Sequence, residues 1–430
     1  MTHSGTIFAL ASGALPAAVA IIRVSGAEVR SVLTRLTGGA PLPEPRRAAL
    51  RTLRTGDGQE LERGLILFFP GPASFTGEDV AELQVTGSVA LVERLYAELS
   101  RIEGLRLAEA GEFARRAVAN GKLDLTEAEG LAALIDAETE AQLGQALMAA
   151  GGRFRRAAEG WRADLLAIAA DAEAELDFGE GEADVEDRIR QDAELRIDSL
   201  AADIETALEG HVGARLIRRG ATLAVSGPPN AGKSSLVNAL SRSDAAIVSD
   251  IPGTTRDAIE VPLDIAGFRV TLIDTAGLRD TDDPIERMGV ARAREKAANA
   301  DLVLDLGPDA VADERTLVIA AKADLHGSNV RGPGIPVSAR TGEGIEQLLS
   351  AIAEWLRQRA PGGDLVTTSE RQKAHLEDCV AALQLAAKAP DPVLRAEELR
   401  AALTSLGRLT GDVETEELLG AIFSRFCIGK

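Results

Sequence analysis

Apolar positions along the chain change their period twice. In the first 118 residues they form short β-branched or alternating runs. Val19–Val24 and Leu65–Phe69 are continuous, while Val80–Val85 alternates Val80, Glu82 and Gln84 with Ala81, Leu83 and Val85. Pro41, Pro43, Pro45, Pro70 and Pro72 punctuate these runs, which predicts strands and turns of an α+β domain over 1–118. From Leu125 the spacing becomes helical. Thr126 with Glu129 predicts a capping box, and Leu131, Leu134 and Ile135 continue one face. Ala/Leu/Glu-rich segments run to about 210, and the acidic stretch Asp171–Asp187 reads as a solvated loop or helix face. Between 216 and 360 short apolar runs return at Leu223–Ser226, Val270–Ile273, Leu302–Leu304, Leu317–Ala320 and Ile335–Ser338. Helical stretches alternate with them, as in a parallel sheet with crossover helices. Pro361-Gly362-Gly363 reads as a linker, after which Leu376, Val380, Leu383 and Ala387 make one helical stripe. The predicted order is an N-terminal domain (1–118), an all-α helical domain in two parts (119–215 and 371–430), and an α/β domain inserted between them (216–370).

Composition narrows the functions this chain can have. Forty-seven basic against 67 acidic residues leave a net charge of −20, which opposes nucleic-acid binding through bulk positive charge but leaves room for a local basic patch. Candidate patches are Arg153-Phe-Arg-Arg156 and Arg215 with Arg218-Arg219; the simpler reading of both is a solvated helix end. Cys379 and Cys427 are far apart, and His3, His211, His326 and His375 are scattered, so neither a disulfide framework nor a metal cluster is expected. No apolar run reaches the ~18–20 residues that span a bilayer. The run Ile7–Ile22 has no Lys or Arg before Arg23 and is broken by Gly13 and Pro16, unlike a signal peptide. The expectation is a cytoplasmic protein without membrane contact.

The chemistry is concentrated in the inserted domain. Gly227-Pro-Pro-Asn230-Ala231-Gly232-Lys233-Ser234 fits G-x-x-x-x-G-K-[ST], the loop whose backbone N–H groups wrap phosphates. It follows a strand candidate and precedes the helical run starting at Ser235. Lys233 is placed to reach the β- and γ-phosphates and Ser234 to ligate Mg²⁺. Four further pieces follow in order. Gly253-Thr254-Thr255 offers a switch threonine for Mg²⁺, and Asp274-Thr275-Ala276-Gly277 ends a strand with a carboxylate near the metal. Lys322-Ala-Asp324 and Ser338-Ala339-Arg340 each follow a strand, and the Asp324 carboxylate can accept both N1–H and the 2-amino group of guanine. Five motifs in order predict a P-loop, Ras-like G domain with GTP as its ligand. Two positions depart from the usual pattern. Ala321 stands where guanine motifs carry Asn, which removes a hydrogen bond worth about 1 kcal/mol to the base or to the phosphate loop. Leu278 stands where a Gln would orient the attacking water, leaving Asp280, Asp282, Asp283 and Glu286 as candidates in the same segment. Arg256 reads as a switch-segment contact rather than a catalytic finger.

Taken together, Phe75-Thr-Gly-Glu-Asp79, Gly111-Glu-Phe113, Gly121-Lys-Leu-Asp124, the phosphate loop, Gly253-Thr-Thr-Arg-Asp257, Asp274-Thr-Ala-Gly-Leu-Arg279 and the terminal Cys427-Ile-Gly-Lys430 resemble the MnmE (TrmE) family of tRNA uridine-modification GTPases over essentially the whole chain. The resemblance implies the same three-part layout. It implies GTP contacts by Asn230, Ala231, Gly232, Lys233, Ser234 and Ser235, by Ser249, Asp250, Ile251, Pro252, Gly253, Thr254 and Thr255, and by the strand-end motifs just named. It also implies Mg²⁺ on Ser234 and Thr255, K⁺ on Asn230, Ser249, Ile251 and Thr254, and Glu286 as the water-orienting catalytic residue. For the N-terminal domain it implies homodimerisation and a tetrahydrofolate site at Arg23, Glu82, Lys122 and Lys430, which by themselves read as surface charges. Val85-Thr86-Gly87-Ser88 departs from the Gly/His-rich stretch of many relatives. Cys427 reads either as a packed small residue or as one acting at the folate site. The implied activity is GTP hydrolysis in a complex that modifies the wobble uridine of tRNA at C5, together with a FAD-dependent partner, MnmG (GidA). The alternative is a nucleotide-gated RNA or ribosome-assembly switch without modification chemistry.

Overall fold

The computed structural model describes residues 5–178, 183–243, 245, 260–274, 298–326, 334–360, 367, 369–411 and 429, without the side chains of 174–178, 183–190 and 274. The chain divides into two compact units, Met1–Ala132 with Gly407–Lys430, and Ala133–Leu406.

The first unit is built on a six-stranded sheet of order β3-β4-β5-β2-β1-β6. Its strands are β1 (Thr6–Leu10), β2 (Ala17–Ser25), β3 (Ala49–Arg54), β4 (Glu60–Phe69), β5 (Val80–Gly87) and β6 (Leu105–Leu107). The three runs anticipated from the sequence are the cores of β2, β4 and β5. All pairings are antiparallel except β1 with β6. Side chains alternate across each strand, so Ile22, Val24, Leu53, Ile66 and Leu83 share one buried face. There they meet Val32, Leu33 and Leu36 of α1 (Val29–Leu36) and Leu95 and Leu99 of α2 (Val89–Ser100). The opposite face carries Val19, Ile21, Arg23, Leu50, Leu65, Glu82 and Gln84 and is only partly covered.

Helices α3 (Glu112–Ala119) and α4 (Leu125–Asp136) follow. The capping box of α4 lies two residues upstream of the predicted one. Asp124 Oδ1 accepts from the Glu127 N–H (2.7 Å) and Glu127 Oε2 accepts from the Asp124 N–H (2.9 Å). Thr126 instead donates to Asp124 Oδ1 (2.8 Å). Asp124, at the position just before the helix, reaches the orphan N–H groups of the first turn, whereas Thr126 is already within that turn.

In the second unit α5 (Glu140–Ala150), α6 (Arg153–Phe178), α7 (Ala183–Glu209) and α8 (His211–Arg219) precede the inserted sheet. The acidic stretch is helical at 171–178, in α6, and again from Ala183, in α7. Beyond the sheet come α12 (Glu370–Lys388) and α13 (Pro392–Thr410). The two helical halves pack on each other: Gln384 donates to Glu205 (3.0 Å), and the Thr367 N–H donates to Ala207 O (3.3 Å). The predicted stripe of α12 is buried at Leu376, Val380 and Leu383, and Cys379 and Ala386 join it. Burial pushes the Cys379 thiol up to about 12, so this cysteine is a packed apolar group with no thiolate chemistry at neutral pH. Buried His211 pins the junction, with Nδ1 against Thr367 Oγ1 (3.0 Å) and Nε2 against Glu370 Oε1 (3.3 Å). The linker predicted at 361–363 lies outside the described residues.

The inserted sheet comprises β7 (Ala221–Ser226), β8 (Glu260–Ile265), β9 (Phe268–Asp274), β10 (Leu302–Asp305), β11 (Thr316–Ala321) and β12 (Ile335–Val337), in the order β12-β11-β10-β7-β9-β8. Every pair is parallel except the β8–β9 hairpin. One face is packed by α9 (Lys233–Leu240) and α11 (Ile345–Arg359) through Leu236, Val237, Leu240, Leu348, Ile352 and Leu356. A short helix, α10 (Ala323–His326), follows β11. Among the described residues the expected alternation of strand and helix fails at the β8–β9 hairpin and again after β10. Residues 306–315 join parallel β10 and β11 without a helix, although such crossovers usually take a dozen residues or more. The segment is tied down instead: Trp355 Nε1 donates to Glu314 O (2.8 Å), and Arg359 stacks on the Trp355 ring at 4.4 Å.

Candidate functional site

Strands β7, β10, β11 and β12 all run parallel, so their C-terminal ends open on one edge of the sheet. The switch point lies between β7 and its neighbours β9 and β10, the place where open α/β sheets bind ligands. Ser226 ends β7, and the next seven residues turn the chain into α9. Gly227 (φ 140°) passes so close to Leu306 that a Cβ there would lie 3.1 Å from Leu306 Cβ. Asn230 (φ 63°) and Gly232 (φ 106°) complete the left-handed turns that aim N–H groups into the loop. Lys233 opens α9, and its Nζ donates to Gly227 O (2.7 Å) and Pro228 O (2.9 Å), folded over the mouth of the loop. Ser234 and Ser235 occupy the exposed first turn of α9.

The residues expected to recognise the base converge beside the loop. Lys322 (φ 60°) donates from Nζ to Asn230 O (2.7 Å), tying the end of β11 to the phosphate loop. Asp324 is held on two sides: Oδ1 accepts from Ser338 Oγ (2.8 Å), and Oδ2 pairs with Arg340 Nε (3.2 Å). The Thr341 N–H in turn donates to Ser338 Oγ (3.2 Å). A pocket of about 260 Å³ joins these groups, bounded by Gly232, Ser235, Leu236, Ile319, Ala321, Lys322, Asp324, Leu325, Val337, Ala339 and Arg340. Of the positions expected to bind nucleotide, Asn230, Ala231, Gly232, Lys233, Ser234, Ser235, Lys322, Asp324, Ser338, Ala339 and Arg340 therefore gather at one end of the sheet. Asp274 ends β9 and is described by its backbone alone. Ser249, Asp250, Ile251, Pro252, Gly253, Thr254, Thr255, Thr275, Ala276, Gly277 and Glu286 lie outside the described residues. No group of three or more His, Cys, Asp or Glu side chains that could hold a metal occurs among the described residues.

A second polar constellation sits in the first unit. Arg23 and Glu82 face each other across β2 and β5, bonded Nη2 to Oε1 at 2.9 Å and Nε to Oε1 at 3.2 Å. The guanidinium lies 5.5 Å from the Phe75 ring centroid and 5.7 Å from that of buried Phe113. Lys122 packs its stem by Gly77 in the same loop. Gly429 (φ 104°) lies against Leu10 and Ala11, where a Cβ would come 3.3 Å from Ala11 Cα. This puts Gly429 beside β1, the strand paired to β2; Cys427 and Lys430 lie outside the described residues.

Sequence reasoning missed what supports that loop. Glu112, fully buried, accepts from Arg106 Nη1 (2.8 Å), Arg116 Nη2 (3.0 Å) and the Glu109 N–H (2.9 Å). Arg116 extends the chain to Glu78 (3.0 Å) and Gly5 O (2.9 Å), and Ser25 Oγ donates to Glu78 (2.7 Å). Both carboxylates belong to motifs quoted above, Phe75–Asp79 and Gly111–Phe113, so the signal was present without its geometry. Burial alone would raise the Glu112 carboxyl, but the bonds from Arg106, the Glu109 N–H and Arg116 outweigh it and bring it down to about 2. Because that value is below the ordinary one, ionised Glu112 adds stability above about pH 4.5, and this is lost as pH falls toward 2. Glu112→Gln should cost about 3 kcal/mol at pH 7, since it strands the buried Arg116 guanidinium and loosens the half-exposed Arg106. Urea titration of both proteins should show the gap narrowing between pH 5 and pH 3; a constant gap would mean that the charge is irrelevant.

Phosphate loop, guanine-type motif and sheet order together define a P-loop GTPase domain set within a helical unit. The family model described as the MnmE helical domain matches residues 125–427, and that described as the GTP-binding protein TrmE N-terminus matches 6–122. The chain is 47% identical to the tRNA modification GTPase MnmE of Rhodopseudomonas palustris, over 99% of each chain. It is 48% identical to that of Methylobacterium radiotolerans over the full length of both, and 46% identical to that of Brucella canis over 100% of this chain and 99% of the other. This protein belongs to the MnmE family of tRNA modification GTPases, and it is an enzyme that hydrolyses GTP. No helix among the described residues is long and apolar enough to cross a membrane.

Proposed function

We propose that this chain is the GTP-hydrolysing component of a complex that modifies the wobble uridine of tRNA at C5, with a tetrahydrofolate derivative supplying the one-carbon unit and a FAD-dependent partner of the MnmG (GidA) type completing the assembly. The observation that carries the reading is the Arg23–Glu82 pair between the Phe75 and Phe113 rings. A carboxylate complements the amino-amidine edge of a pterin, the partly exposed Phe75 ring offers an apolar face, and Arg23, Lys122 and Lys430 supply cations for the glutamate tail. A bare RNA switch has no use for such a site. The outer face of the same sheet supports a homodimer, because Leu50 and Leu65 are paired across β3 and β4 yet 51% and 40% exposed, and Val19 is 52% exposed.

In the G domain Ser234 presents a hydroxyl at the first turn of α9, a hard oxygen donor that suits Mg²⁺, with Thr255 as its second protein ligand. Asn230, exposed at the outer edge of the loop, offers an amide oxygen of the kind K⁺ takes, with Ser249, Ile251 and Thr254. When bound, these cations offset charge that develops on the β–γ bridge oxygen. Lys233 draws charge from the β- and γ-phosphates, and backbone N–H groups of the loop fix their orientation. Glu286 accepts a hydrogen bond from the attacking water, whose oxygen bonds to the γ-phosphorus as the bond to the β–γ bridge oxygen breaks, giving GDP and phosphate. Leu278, where other GTPases carry a Gln, has no group for that task.

Calorimetric titration of the full chain with 5-formyltetrahydrofolate, run alongside GTP turnover in matched KCl and NaCl, tests this reading. Wild type should bind the folate and hydrolyse GTP at least tenfold faster in KCl. Arg23→Ala should lose folate binding by tenfold or more and keep the salt effect, whereas Glu286→Ala should do the reverse. Absence of folate binding in wild type, or equal rates in both salts, would overturn the corresponding half of the proposal.

A further inference from the structure

The base pocket has two unlike walls. On its rim sits the Asp324 carboxylate, an acceptor. Behind it Leu236, Ile319 and Val337 form an apolar floor, and Ala321 closes the side toward Gly232, its Cβ 4.0 Å from where a Gly232 Cβ would stand. Lys322 Nζ is bonded to Asn230 O, Arg340 sits on the rim with 80% of its side chain exposed, and Ser235 belongs to the first turn of α9 on the phosphate side. Among the described lining residues, then, the Ala321 wall brings no side-chain donor to the pocket.

Guanine presents donors at N1 and the 2-amino group, an acceptor at O6, and a separate acceptor at N7 on its five-membered ring. We propose that this enzyme selects guanine through the N1–H and 2-amino edge at Asp324 and leaves N7 unread, so that 7-deaza-GTP, in which N7 is a C–H, is accepted as well as GTP or better. The inference rests on reading this pocket as the guanine site. Its physical ground is an asymmetry. A pocket with a donor at the N7 wall rejects the 7-deaza base because that donor is stranded, whereas an apolar wall strands N7 of the natural base instead. Asn at 321 would supply the missing amide, so this one position sets the difference.

The test is competition of GTP, 7-deaza-GTP and ITP against a fluorescent GDP on the full chain, for wild type and Ala321→Asn. Inosine lacks the 2-amino group, so ITP should bind at least tenfold more weakly than GTP. If ITP binds equally, Asp324 does not read the base, and the reading of the pocket itself fails. With ITP rejected, wild type should bind 7-deaza-GTP within twofold of GTP or up to about fivefold more tightly. Fivefold weaker binding of 7-deaza-GTP would overturn the inference and point to another donor at N7. Ala321→Asn should prefer GTP over 7-deaza-GTP by about fivefold. Circular dichroism shows whether that variant folds, and the wild-type ratio decides the matter if it does not.

Discussion

Lys233→Ala should lower kcat/KM for GTP by on the order of 10²- to 10³-fold, the scale seen when one preorganised group aimed at developing negative charge is removed. The Lys233 ammonium is bonded to two neutral acceptors, Gly227 O and Pro228 O. A triphosphate offers it charged oxygens at the same loop mouth, so the exchange favours nucleotide binding, and the bonds tighten further as charge moves toward the bridge oxygen. Stability should change little. Lys233 heads α9, Ala is the better helix former, and no buried partner loses its bond. Thermal melting without nucleotide should therefore match wild type to within about 1 kcal/mol in stability while turnover collapses. Retained turnover would mean that the phosphates do not sit at this loop, and a lost fold would remove the argument from preorganisation.

The sequence is most transparent where local chemistry decides structure. Gly227, Asn230 and Gly232 are needed because the phosphate loop turns through left-handed backbone at each, and the motif can be read without any tertiary knowledge. The strands β7, β9, β10, β11 and β12 are equally plain, as buried parallel strands read as short apolar runs. Strand β8 escaped notice because Pro262 interrupts an otherwise regular alternation of Val261, Leu263 and Ile265. As an edge strand it tolerates that proline. The bare β10–β11 crossover was hidden for a different reason. Alternation of strand and helix is a rule of architecture, and 306–315 breaks it by tertiary contacts of Trp355 and Arg359 that lie about forty residues downstream. The same holds for the second site. Arg23 and Glu82 are 59 positions apart, and nothing short of the β2–β5 register brings them together.

Asp324→Asn should invert base selectivity. The carboxylate has two acceptor oxygens, which Ser338 and Arg340 hold in place. Guanine needs both, one for N1–H and one for the 2-amino group. Displacing the Arg340 contact costs little, because that guanidinium is mostly solvated and exposed ion pairs are worth under about 1 kcal/mol. In the variant one oxygen becomes an amide N–H₂ that confronts the 2-amino group of guanine, donor against donor. Xanthine carries a carbonyl oxygen at that position and accepts the amide proton instead. Sites built on such hydrogen bonds discriminate by about 10⁴–10⁵ against an analogue that leaves them unpaired. With the apolar Ala321 wall adding no base contact of its own, Asp324 should carry most of that discrimination, so the ratio of kcat/KM for XTP over GTP should rise by on the order of 10⁴ in the variant. Turnover of XTP at wild-type GTP levels would separate this effect from damage to the phosphate loop, since Lys233 and Ser234 are unaltered. If GTP remains the better substrate, the base does not lie at the ends of β11 and β12.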